Sequence, residues 1–237
     1  MTDDVEWETR LRALPSTEWP DFLTMHSGLP GPRANLALVS AVARTAEPAV
    51  IAELAKTDDE FAMMCVAASR GARSDDADVL RRLRGHAEDQ RWRVREGAVF
   101  GLQLLGDRDI AALLSIVKSW AEETDPLLQR AAVAAICEPR LLRDSRTVGD
   151  ALGVCATTTA HFVTWPRERR RAPDVRVLRQ TLGYCWSVVV AADPDVALDA
   201  FLGLDPDHPD VGWIVAQNLR KSRLSRILRD RGEEMAR

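Results

Sequence analysis

Five side chains on repeating helical segments could form one binding site. Trp92 and Glu96 lie four residues apart, so on a helix they share a face. Arg130 holds, in the next copy of the same pattern, the position that Glu96 holds in its own. Tyr184 and Trp186 follow in a later helical segment, Val177 to Trp186. Facing one groove, they would form a cup of aromatic walls with one carboxylate and one guanidinium. Aromatic planes and an exposed charge pair are poor choices for a surface that takes no ligand. Each residue taken alone also fits a structural role, since a tryptophan packs well in a core and an arginine after Val can bond to a corner aspartate.

Other chemistry has little support. No GxSxG, HExxH, Walker A or GxGxxG element is present. His26, His86, His161 and His208 are scattered singly, which suits surface or capping roles better than a triad or a metal cluster. Glu122-Glu123 and Glu233-Glu234 are adjacent, splay apart on a helix and make poor acid/base pairs. Cys65, Cys137, Cys155 and Cys185 lie far apart in apolar stretches without a CxxC pair, and read as small core residues in a reducing cytosol. Neither a metal nor a cofactor is expected.

The elements that must position these residues are helices. The 237 residues are 46% apolar, enough for a substantial core, and Ala, Leu and Arg dominate with only 5% aromatics. Charged residues make up 29% but nearly balance, for a net charge of -4, so the whole chain is not built like a nucleic-acid binder. The preference for Arg over Lys fits a GC-rich bacterial genome. No apolar run approaches the roughly 20 residues that a bilayer requires. The acidic start MTDDVEWETR is unlike a signal peptide, so a cytoplasmic protein without membrane contact is expected.

Short corners such as Gly106-Asp107-Arg108-Asp109, Thr124-Asp125-Pro126 and Asp193-Pro194-Asp195 punctuate the helices, with Asp as cap and Pro in the next first turn. Trp92 to Val99 resembles Pro126 to Val133 at an offset of about 34 residues, a helical-repeat period. Weaker copies begin at Phe61, Asp174 and Asp210. This pattern resembles the second helix of HEAT repeats over residues 32–220. It implies an all-α fold, an α-α superhelix or solenoid of about six HEAT-like hairpins, in one domain spanning 1–237 whose second helices line a concave groove.

One interval is too long for the period, and its excess is the segment 164–173, an Arg/Pro-rich stretch expected to form an exposed loop. Its Arg167, Arg169, Arg170 and Arg171 could act as a basic flap toward phosphate or an acidic partner. The basic run from Asn218 to Arg229 reads as a solvated terminal cap, with Leu219, Leu224 and Leu228 closing the last repeat and the arginines in water; the alternative is a contact with nucleic acid or an acidic protein.

Three segments resemble AlkD-type DNA glycosylases, HEAT-like enzymes that release cationic alkylated purines: Trp92-Arg-Val-Arg-Glu96, Leu128-Gln-Arg130-Ala-Ala-Val and Arg179-Gln-Thr-Leu-Gly-Tyr184. The resemblance implies that Glu96 would stabilise the developing sugar cation or position water. Trp92 and Tyr184 would pack on deoxyribose, and Arg130 would hold a phosphate. Departures are Glu and Tyr where the family has Asp and Trp, and Gln129 where it has a second Arg. Without a complete catalytic constellation, the leading reading is a binding scaffold that takes a protein partner or DNA in its groove. The alternative is an alkylated-base glycosylase.

Overall fold

The computed structural model describes residues 2–74 and 76–235, and among them every regular element is helical, as the periodicity predicts. The chain divides into two compact units, Met1–Asp109 and Ile110–Arg237.

In the first unit, α1 (Thr2–Ala13) leads through a short 3-10 turn into α2 (Trp19–His26), α3 (Leu36–Thr45), α4 (Pro48–Leu54), α5 (Glu60–Gly71), α6 (Ala77–Ala87) and α7 (Trp92–Arg108). Helices α1, α3, α5 and α7 pack in a row, and α2, α4 and α6 cover α5. Every residue of α5 from Phe61 to Ser69 is buried, the signature of a helix enclosed on all sides. Glycines set its distance to α7. A β-carbon at Gly97 would strike the Met64 carbonyl oxygen, and one at Gly71 would lie 2.7 Å from the Gly101 backbone.

The second unit holds α8 (Ile110–Ala121), α9 (Pro126–Ile136), α10 (Ser145–Thr164), α11 (Arg167–Arg170), α12 (Pro173–Ala192), α13 (Pro194–Leu202), α14 (Pro209–Leu219) and α15 (Ser222–Met235). Helices α9, α12 and α14 form a row, with α8 against α9, α10 and α13 against α12, and α15 against α12 and α14. The five sequence copies all fall at helix starts: α5, α7, α9, α12 and α14.

Corner chemistry explains the breaks. Asp125 accepts from the amides of Leu127 and Leu128, Asp193 does the same for Asp195 and Val196, and Pro126 and Pro194 occupy the first helical positions. One corner lies elsewhere than expected. Gly106 to Arg108 continue α7, and the chain turns only at Asp109. Gly106 is buried within the helix, so its small size serves packing rather than a turn.

All four cysteines are buried. Cys137 and Cys155, eighteen residues apart, bring their sulfurs to 3.5 Å. Burial pushes the Cys137 thiol well above its ordinary range, which keeps it protonated.

The histidines are not surface residues of one kind. His208 caps α14 as expected, accepting from the Val211 amide, whereas His86 is buried and meets Arg70 Nη1 at 2.5 Å through Nε2. Burial, followed by the charge of Arg70, pulls the His86 pKa down to about 4. The folded protein therefore keeps His86 neutral where the unfolded chain, titrating near 6.5, takes up a proton. That contribution to stability is complete above pH 6.5 and is lost as pH falls toward 4. Urea unfolding should show about 2–3 kcal/mol of acid destabilisation from this group between pH 7 and pH 4. In His86→Gln most of that part of the pH dependence should vanish.

Candidate functional site

Tyr184 is the best-placed of the expected site residues. Along α12 the residues Arg176, Gln180 and Tyr184 recur every four positions and are all exposed, which makes one outward stripe. Tyr184 is 42% exposed. Two cations from the start of the last hairpin helix attend it: Arg223 Nη2 donates to the phenol oxygen at 2.7 Å with its guanidinium 4.6 Å from the ring centroid, and Lys221 Nζ lies 5.4 Å from that centroid. Both cations lie in the basic run whose alternative reading is a contact with nucleic acid or an acidic protein. Of the leucines expected to close the last repeat, Leu224 is fully buried, whereas Leu219 is 41% exposed. The arrangement offers an aromatic plane for stacking and two positive groups for an acidic one.

Trp186 corrects an expectation. Two residues beyond Tyr184 the helix has turned inward, so Trp186 is 0% exposed and donates its indole N–H to Thr159 Oγ1 at 3.0 Å. It packs against Phe201 in the core and cannot wall a groove. Arg130 is also withdrawn, at 8% exposed. The preceding Gln129 is fully buried and donates to the Glu123 carbonyl and to His161.

The 164–173 segment is likewise more structured than an open flap. Thr164 ends α10, Arg167–Arg170 form one helical turn, and α12 begins at Pro173. Arg169 grips Asp174 with two hydrogen bonds of 2.8 Å. Arg170 and Arg179 both bond to Asp210 at 2.5 Å, and Asp210 is 6% exposed at the start of α14. Arg179 also lies 4.8 Å from the centre of the Trp213 ring. Gly183 makes room for that ring, since a β-carbon there would sit 2.9 Å from it. Arg169 and Arg170 are thus fasteners, while Arg167 and Arg171 remain exposed.

Trp92 and Glu96 lie in the first unit, on α7. Trp92 is 51% exposed, with the Arg93 guanidinium 4.6 Å from its ring centroid. Arg93 in turn donates to Glu60 at 3.2 Å. Glu96 is partly exposed one turn along, and its neighbour Arg95 donates to the carbonyls of Asp89 and Gln90. Arg130, Tyr184, Trp186 and the arginines of 167–171 belong to the second unit.

The chain matches no protein-family model, no curated protein and no solved structure. Function must therefore be argued from the side chains themselves. No helix among the described residues is long and apolar enough to cross a membrane, and no group of three or more potential ligands among them could hold a metal ion.

Proposed function

We propose that the chain is a HEAT-like helical-repeat binding protein whose second-helix face takes an acidic segment of a partner protein at Tyr184. The observation that carries this reading is the exposed Tyr184 ring with Lys221 and Arg223 beside it. Exposed aromatics flanked by cations are costly ornaments on an unoccupied surface and effective anchors on an occupied one. The HEAT-like part rests on the repeat copies beginning α5, α7, α9, α12 and α14, and on the rows α3-α5-α7 and α9-α12-α14 within their respective units. An acidic protein segment suits the patch better than duplex DNA. The chain carries 36 acidic against 32 basic residues, and DNA binding by phosphate contact calls for a broad positive strip.

Fluorescence anisotropy with a labelled oligoglutamate peptide tests the reading. Wild type should bind it, and more weakly as salt rises. Tyr184→Ala and Arg223→Gln should each weaken binding by about tenfold, in keeping with loss of one aromatic or charge-assisted contact. Absence of binding by wild type, or equal binding by both variants, would overturn it.

A second reading, the AlkD-like glycosylase, has one observation in its favour: exposed Trp92 stands one turn from a partly exposed Glu96. Release of alkylated base from methylated duplex DNA by wild type, and its loss in Glu96→Gln, would establish it in place of the first.

A further inference from the structure

At the far end of α5, away from Trp92 at the start of α7, three arginines gather with no carboxylate bonded to them among the described residues. Arg73 is pinned by helix ends. Its Nη1 donates to the carbonyls of Ala43 and Ser69, both at 2.9 Å, and its Nη2 donates to Ala46 at 3.0 Å. Three of its five N–H donors are thereby used, which fixes the guanidinium in place. The Arg70 guanidinium bonds to the neutral His86 rather than to a carboxylate. Arg82, exposed on α6, makes no ion pair among the described residues.

The three guanidiniums border one cavity of about 250 Å³ whose other wall includes Ile51 and Val79. Asp78 also lines the cavity but is engaged by Arg81, and Asp76 caps α6. Gathering like charges is unfavourable, and burial together with Arg82 lowers the affinity of Arg70 for its own proton.

We infer that this cavity is an anion site for a small phosphate monoester, with the phosphate on Arg70, Arg73 and Arg82 and the organic group against Ile51 and Val79. Preformed ligand pockets for drug-sized molecules run to roughly 300–1,000 Å³, so the occupant is smaller than those. The cradle resembles other phosphate sites in its parts: a fork-shaped donor fixed in place, further guanidiniums around it, and a partly apolar wall that raises the strength of each contact. The inference stands independently of the Tyr184 surface, which belongs to the other unit.

Isothermal titration of the full chain with phenyl phosphate, inorganic phosphate and phenol tests it. Phenyl phosphate should bind with sub-millimolar affinity, inorganic phosphate clearly more weakly, and phenol not at all. Arg82→Gln changes an exposed side chain and should leave the fold intact, yet weaken phenyl phosphate by about tenfold, as loss of one charge-assisted contact requires. Arg70→Gln should weaken it at least as much, and Arg226→Gln on α15 should not change it. In the wild type, binding should also shift the His86 imidazole resonances, because His86 touches Arg70. No binding of phenyl phosphate, equal affinity of phenyl and inorganic phosphate, or an Arg82→Gln protein that binds like wild type would overturn the assignment.

Discussion

Gly101→Ala should destabilise the protein by about 2 kcal/mol or more, although alanine in the middle of a helix normally gains about 1 kcal/mol over glycine. The reversal comes from the crossing of α5 and α7. A β-carbon at Gly101 would collide with the Ala68 carbonyl oxygen and lie 2.8 Å from the Gly71 Cα. These neighbours are backbone atoms of an enclosed helix, so no side chain can swing aside, and the helices must separate. Gly97 faces Met64 in the same way one turn earlier, so the Gly97→Ala/Gly101→Ala protein should lose more than either single variant. Gly153 is the internal control. It lies in α10 with nothing within 4 Å of a β-carbon, so Gly153→Ala should stabilise by about 0.5–1 kcal/mol. Urea midpoints at constant slope would give all four values. Stabilisation by Gly101→Ala would show that α5 and α7 can separate at little cost.

Asp210→Ala should be the most damaging single change in the second unit, at about 3–5 kcal/mol, because it leaves two largely buried guanidiniums without their counter-ion. Side-chain exposures of 18% for Arg170, 27% for Arg179 and 9% for Asp210 mean that water can replace only part of what is lost. The damage should be reversible by subtraction. Replacing Arg170 and Arg179 with Met in the Asp210→Ala background removes the uncompensated charges and should recover a large part of the stability. A single variant within about 1 kcal/mol of wild type would mean that the cluster is a solvated surface feature, worth what an exposed ion pair is worth.

The Asp210 cluster also marks what could and could not be read from the residues alone. Corners such as Asp125-Pro126 announce themselves locally, because an Asx cap and a first-turn proline act within three residues of each other. Gly97 aligns with Ala131 in the next copy, a small residue at the same repeat position. The basic segment was misread because the pairing of Arg170 with Asp210 spans forty residues, and four arginines between prolines look solvated until the partner is known. Trp186 was misplaced for a different reason. Its neighbour Tyr184 is exposed, and two residues on a helix turn about 200° away, but the apolar face of α12 is broad enough that the sequence leaves open which aromatic points inward. The run holding Lys221 and Arg223 reads first as a solvated cap, because the contact of Arg223 with Tyr184 on α12 spans 39 residues.

Hydrogen-exchange mass spectrometry of wild type, free and saturated with the acidic peptide, tests the proposed binding surface most directly. Slowed exchange should be confined to two stretches that are distant in sequence, residues 176–184 on α12 and residues 219–224 leading into α15, and should disappear in Tyr184→Ala. Protection elsewhere with none at these two stretches would contradict the account.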